Sequence, residues 1–340
     1  MKKLLNVLYV TTPESYLSKD GQNVVVSVDR VEKFRIPIIN IEGIVTFGYM
    51  GASPGLMKLC ADNGVSLTFL SPNGRFIGRV QGPVKGNVLL RKEQYRIADD
   101  EAKSLHFARL FIAGKIQNYR TTLQRFVRDN GSHANVESAI NSLEHSKQWA
   151  LKTVSAAQLI GVEGDAANTY FGVFPELILN QKEDFQFHGR NRHPPKDKVN
   201  AMLSFVYTLL ANETAAALES VGLDPYVGFL HTLRPGRTSL ALDLMEELRA
   251  YLGDRLVLSL INRKQMTVRD FVVQGEEGVT MSDEGRKTLL TAWQKRKKET
   301  IVHPYLEEKI ALGLLPYVQA MLLAKAVRND IDDYPVFVIH

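Results

Sequence analysis

The chain has 340 residues, 45% hydrophobic and 23% charged, with 42 Lys and Arg against 37 Asp and Glu. That length and composition place it among soluble globular proteins with room for two domains, and the net charge of +5 leans toward an anionic partner. The single Cys60 excludes an intramolecular disulfide, makes a cysteine-based zinc site implausible and fits a reducing, cytoplasmic setting.

In chain order, the basic and apolar opening is too brief for a signal peptide and has no small-residue cleavage site. No stretch approaches the ~20 apolar residues of a membrane span. Residues 1–95 read as β-rich. Strands are expected over 4–10, 15–19 and 23–29, the last two forming a hairpin about Lys19-Asp20-Gly21-Gln22. Further strands follow over 30–37, 39–46, 65–70 and 75–80, the last entered through the turn 71–74. A short helix is expected over 53–63, with Ser53 as cap, Pro54 in the first turn and Gly64 just past the end. Nothing catalytic stands out here, neither a phosphate-binding glycine fingerprint nor a nucleophile elbow.

After a linker-like segment over 82–87, the pattern turns helical from Leu89 onward. A long basic helix over 102–129 carries Arg109, Lys115, Arg120, Arg125 and Arg128, and Asn130-Gly131 ends it. Helices over 134–143 and 146–160 follow, then one carrying Glu163. An irregular basic loop over 187–198 holds His188, Arg190, Arg192, His193 and Lys196; with its double proline it reads as a solvated or phosphate-touching surface rather than a metal site. Asp197 caps a helix to 221. Residues 256–262 and 267–273 are mixed. Helices over 282–302, with Lys295-Arg296-Lys297-Lys298, and 305–326 lead to an extended tail whose apolar end, 336–339, can dock on a neighbour. The fold class is α+β: a small N-terminal β-sheet domain with one helix (1–82), a linker (83–100) and a larger all-helical catalytic domain (101–340).

Two elements carry candidate chemistry. After Pro235-Gly236, capped by Thr238 or Ser239, an amphipathic helix places Leu240, Leu244, Leu248 and Leu252 on one face at about 100° per residue. Asp243, Glu246 and Glu247 lie beside it at i,i+3 and i,i+4, where like charges repel unless a divalent cation intervenes. His231 lies one short loop upstream, with Arg234 and Arg237 inside that loop. In the other helix, Glu163 falls in a stripe with Leu159, Ile160, Ala166 and Ala167, costly for a carboxylate without a cation or hydrogen bonds. Glu163, His231 and Glu246 can therefore be three hard or borderline metal ligands. The same spacings also fit a solvated acidic face, a satisfied core histidine, and a glutamate that reaches the surface or pairs with an arginine.

Four motifs resemble a known family: Gly82-Pro83-Val84-Lys85-Gly86-Asn87 through Tyr95; Gly161-Val162-Glu163-Gly164 through Phe171; Gly189-Arg190 through Tyr207; and Gly228-Phe229-Leu230-His231 with Leu242-Asp243 through Arg249. Together they are similar to the CRISPR-associated spacer-acquisition integrases, the Cas "one" family, over essentially the whole chain, and the tail looks like that of subtype I-C members. Lys198 stands where the family pattern expects Pro, and His193 where it expects Arg. The resemblance implies a metal site on Glu163, His231 and Glu246 binding Mg2+ or Mn2+, with Asp243 as a second acidic position beside it. It implies DNA as substrate, a homodimer with the β domain at its interface, and a small partner subunit, the Cas "two" protein, in an adaptation complex. The activity implied is that of a metal-dependent endonuclease and integrase. The alternatives are a free-standing nuclease on branched or single-stranded DNA and a non-catalytic DNA-binding scaffold. Arg234 and Arg237 are the foremost phosphate candidates; Arg190, Arg192, Lys196, Lys295 and Arg296 are further ones, contacting backbone rather than bases.

Overall fold

The computed structural model describes residues 6–41, 43–48, 50–71, 76–80, 82, 88–191, 194–273, 275 and 278–339. Its N-terminal part holds strands β1 (Val7–Val10), β2 (Ser15–Asp20), β3 (Asn23–Val28), β4 (Val31–Pro37), β5 (Gly43–Phe47), β6 (Gly51–Ala52), β7 (Ser66–Leu70) and β8 (Phe76–Val80), with helix α1 (Pro54–Asn63) between β6 and β7. They form two four-stranded sheets, in the orders β1-β5-β7-β8 and β4-β3-β2-β6. The expected hairpin is present, with Asp20 opposite Asn23 and Gly21 at φ +57° in the turn. Ser53 accepts from the Leu56 N–H, and Gly64 ends α1 in the left-handed region. Leu17, Val24, Ile44, Leu56 and Leu67 pack between the sheets and α1. Where one strand was expected over 39–46, a 3-10 turn at Ile38–Asn40 precedes β5. Most of the expected turn over 71–74 lies outside the described residues.

The C-terminal part is helical: α2 (Val88–Asp99), α3 (Glu101–Asn130), α4 (Ala134–Ala150), α5 (Ala156–Val173), α6 (Lys198–Val221), α7 (Ser239–Met245), α8 (Arg255–Asn262), α9 (Asp283–Lys298) and α10 (Leu315–Val327). Several expectations change here. The stretch read as a linker, 83–100, is largely α2, whose buried Gln94 donates to the Asp224 and Val227 carbonyls at 2.8 and 2.7 Å. The helical part also carries two hairpins, β9 (Phe271–Val273) with β10 (Val279–Met281) and β11 (Thr300–Val302) with β12 (Lys309–Ala311). The first continues the mixed stretch over 267–273, a 3-10 turn running into strand; the second replaces helix at the end of the span read as 282–302 and near the start of that read as 305–326. The helix expected over 146–160 is interrupted, because Ser155 caps a new helix by accepting from the Gln158 N–H.

Helix α6, contrary to the sequence reading, is long and apolar enough to cross a membrane; 61% of its most apolar window is buried in the protein. It packs against α7 and α10, so its apolarity is that of a central core helix. The two parts share one core. Phe47 of β5 stacks on Phe205 of α6 at 5.5 Å, and Glu213 of α6 accepts from Tyr9, Trp293 and Lys297 at 3.2, 3.0 and 2.8 Å.

The tail docks on its own chain. Phe337 and Ile339 are buried, the Ile339 N–H donates to Asn118 of α3 at 2.9 Å, and the Phe337 N–H donates to Glu247 at 2.7 Å. Asn118 in turn donates to the Glu247 and Phe337 carbonyls at 2.7 and 2.8 Å. Gly114 permits this closure: a Cβ there would lie 2.3 Å from Val336.

Burial pushes the Glu247 carboxyl up to about 8, although Tyr334, Gln319 and the Phe337 N–H all donate to it. The native state therefore keeps a proton that the unfolded chain releases near 4.5. The associated stability is complete below that value and is lost as pH rises through about 8, at no more than about 1.4 kcal/mol per pH unit. Thermal unfolding followed from pH 5 to about 9 should show this decline, and Glu247→Gln should flatten it. An unchanged slope in the variant would exclude Glu247 as its source.

Candidate metal centre and phosphate cavity

The site is built on an irregular helix. After α7 the backbone tightens into a 3-10 turn at Glu246–Leu248, widens into a π turn at Arg249–Asp254 and resumes as α8. Such π segments cluster at functional sites because they re-aim side chains. The regular helix expected from the sequence would have set Asp243, Glu246 and Glu247 side by side. Instead each is buried and has its own partners: Asp243 a backbone turn, Glu246 two cations, Glu247 the tail.

Asp243 is fully buried and organises the turn before it. Its Oδ2 accepts from the Phe229 and Leu230 N–H groups at 2.6 and 3.0 Å, and its Oδ1 from the His231 N–H at 3.0 Å and from His231 Nδ1 at 2.5 Å. An ionised carboxylate only accepts, so the Nδ1 proton is the one directed at Asp243, and in the neutral imidazole Nε2 then keeps its lone pair. Gly228 is required at the approach, since a Cβ would meet Asp243 Oδ2 at 2.6 Å and the Ser239 carbonyl carbon at 2.8 Å.

Glu246 and Glu163 share one ammonium. Lys115 of α3, 2% exposed, contacts a Glu163 oxygen on α5 and lies 2.7 Å from Glu246 Oε2. The second contact is an ion pair without hydrogen-bond geometry, so Oε2 is buried with no hydrogen bond. The other Glu246 oxygen pairs with Arg249 at 2.9 Å. Burial alone would raise the Glu246 carboxyl; Arg249, Lys115 and His231 together outweigh it and hold it at about 2. Beside Glu163 a cavity of about 600 Å³ opens, lined among others by Lys115, Arg190, Arg249, Tyr207, Tyr119 and His188. The Arg190 and Arg249 guanidinium groups lie 5.3 and 5.0 Å from the Tyr207 ring centre, whose hydroxyl donates to the buried Asp254 at 2.5 Å.

Among the described residues, no three His, Cys, Asp or Glu side chains converge as a ready-made ligand set. The donor chemistry nevertheless fits a hard divalent ion: two carboxylates already gathered about one positive charge, one oxygen without a hydrogen bond, and an imidazole with Nε2 uncommitted.

The basic candidates divide. Arg190 lines the cavity but is also fastened to the Asn191 carbonyl, Asn200 and Ser204 at 2.5, 2.6 and 3.0 Å. Arg192 and His193 lie outside the described residues. Arg234 and Lys295 are exposed and Arg237 is half-buried, in a turn closed by the Arg237 N–H on the Arg234 carbonyl at 3.0 Å. Arg296 is less available than expected: it packs over Tyr251 and donates to that residue's carbonyl at 2.5 Å. The sequence reading missed Lys115 and Arg249 as site residues. The signal for Lys115 was a single cation in the apolar run Leu110-Phe111-Ile112-Ala113-Gly114-Lys115-Ile116, the counterpart of Glu163 in its own stripe.

Two relatives place the chain among the CRISPR-associated endonucleases. It is 53% identical to CRISPR-associated endonuclease Cas1 1 of Chlorobaculum tepidum, with 99% of each chain covered, and 50% identical to Cas1 2 of Rhodospirillum rubrum, with 98% of each covered. The family model described as CRISPR associated protein Cas1 matches residues 8–295, and the chain belongs to the Cas1 family. Among solved structures, a Cas1 protein from Thermotoga maritima shares the fold at a TM-score of 0.84 and 22% identity, covering 97% of this chain and 99% of that one. A casposase bound to its integration product shares it at 0.83 and 22%, covering 97% and 94%.

Asp243→Ala leaves two buried backbone N–H groups, the part-buried His231 N–H and the His231 ring without an acceptor. It should destabilise the fold by about 2–4 kcal/mol in urea unfolding. Gly228→Ala should also lower the midpoint, since neither backbone nor carboxylate can yield to a Cβ at that position. A midpoint unchanged in both variants would remove the turn from the architecture of the site.

Proposed function

We propose that the chain is a metal-dependent DNA endonuclease and integrase of CRISPR adaptation, joining the 3′-hydroxyl ends of short foreign DNA to the repeat of the array. The observation that supports this best is the pair Glu163 and Glu246 gathered on one ammonium, together with His231 held through Nδ1 by Asp243. Glu163, His231 and Glu246 would hold Mg2+ or Mn2+. Such an ion, when bound, supplies charge that polarises a phosphate and lowers the pKa of an attacking oxygen.

The rest falls to the chain's own residues. Asp243 fixes the tautomer and direction of His231. Arg249 and Lys115 keep Glu246 ionised although it is buried. Arg190, Arg249 and Lys115 turn positive charge toward the cavity, where a phosphodiester would sit. Exchanging one phosphodiester for another is close to isoenergetic, which suits a chain with no Walker-type loop.

DNA and a small Cas "two" subunit are the partners of this reading. It draws support from the fold shared with the Cas1 portion of a Cas6-RT-Cas1–Cas2 complex, at a TM-score of 0.82 and 22% identity, covering 100% of this chain and 36% of that one. A homodimer through the β domain is supported by exposed Tyr16, Val31, Phe34, Phe76 and Ile77 on that domain.

The test incubates the purified protein, with and without its small partner, with labelled 3′-hydroxyl DNA and a supercoiled repeat-bearing plasmid in Mn2+. Label should become covalently joined to the plasmid, and EDTA should abolish joining. Glu163→Ala and His231→Ala should each reduce it by about 100-fold or more. Cleavage without joining would make the protein a nuclease. DNA binding with no metal-dependent chemistry would make it a scaffold.

A further inference from the structure

Lys115 is placed where a divalent ion would be expected. Its ammonium is buried, touches Glu163 and stands 2.7 Å from Glu246 Oε2, and it also lines the cavity beside Glu163. With Arg249 it balances Glu163 and Glu246 charge for charge. A divalent ion arriving alone would add two positive charges a few ångströms from a buried ammonium and guanidinium, a repulsion only partly screened where Glu163 meets solvent. A phosphate in the cavity offsets the conflict, because Lys115 already lines that space.

We propose that Lys115 is a built-in counter-ion that holds the metal position in the metal-free protein and passes to a DNA phosphate when metal enters, so that metal and DNA bind as mutually dependent ligands. The proposal rests on the metal reading given above. It makes Lys115 a positioning residue that limits metal loading in the absence of substrate. By linkage, whatever factor DNA adds to metal affinity, metal adds to DNA affinity.

The test is direct Mn2+ binding by the full chain, read from the spectroscopic signal of free Mn2+. It is run with and without a short duplex ending in 3′-dideoxynucleotides, so that no chemistry intervenes. In the wild-type protein, DNA should tighten Mn2+ binding about tenfold or more. Lys115→Gln should bind Mn2+ without DNA about tenfold more tightly than wild type, with the further gain from DNA shrinking to about threefold or less. In EDTA the same variant should unfold at a lower temperature, because two buried carboxylates lose their shared cation, and Mn2+ alone should restore it. Damage of a purely structural kind would weaken Mn2+ binding, not strengthen it. Wild-type affinity indifferent to DNA overturns the proposal without needing the variant. Variant affinity no tighter than wild type overturns it as well. Absence of Mn2+ binding in both proteins, with and without DNA, removes the metal reading together with it.

Discussion

Two consecutive carboxylates, Glu246 and Glu247, are buried on one irregular helix turn and answered from different directions. A buried carboxylate without a partner is among the costliest groups a fold can contain, so each one dictates what packs around it. Glu246 draws in Lys115 from α3 and Arg249 from the π turn. Glu247 has no cation; it is met by Tyr334, Gln319 and the Phe337 N–H, which bring the tail and α10 against the same helix. The long helix α3 serves both, through Lys115 on one side and Asn118 on the other.

This arrangement explains why the site lies in the interior of the helical part, although most of its residues are charged. Opposite charges alternate: Glu163, Lys115, Glu246 and Arg249 form a continuous chain of ion pairs, and only Glu163, at 27% side-chain exposure, is substantially open to solvent. Tyr119, Tyr170 and Tyr207 form an aromatic layer alongside. Tyr119 and Tyr170 stack at 3.8 Å, and Tyr207 carries two guanidinium groups. Burial raises the Asp254 carboxyl to about 6 despite the hydrogen bond from Tyr207 and the pull of Arg249 and Arg190. The result is a rigid, low-dielectric wall on which positive charge faces a cavity, the setting in which electrostatic effects on a phosphate are largest.

Contacts from the β domain reach the same helices. Glu213 and Glu219 on α6 gather Tyr9, Trp293, Lys297 and Arg79 at the junction. Because α6 packs directly on α7, the junction and the Asp243 turn belong to one continuous core, and the β domain is braced against the framework of the site. The resemblance read from the sequence had this division of the chain in view; the length of α2 within the supposed linker is what it missed.

The sequence by itself determined the local elements whose signals are short-range: the hairpin at Gly21, the capped helix after Ser53, the helix after Asp197, and the change from two-residue to helical periodicity near residue 89. It also marked Glu163, His231, Asp243 and Glu246, because a carboxylate in an apolar stripe and acids beside a histidine loop are unusual without a partner. Only the tertiary structure decided which partner each one has. Spacing along a regular helix predicted a cluster of three acids; packing instead breaks the helix into 3-10 and π turns and turns the three toward three different neighbours. Lys115 is 48 residues from Glu163, and the Glu247 clamp lies 90 residues from Phe337. Pairings at such separations leave no periodic trace in the sequence, because they arise from the way α3, α5 and the tail converge on one core.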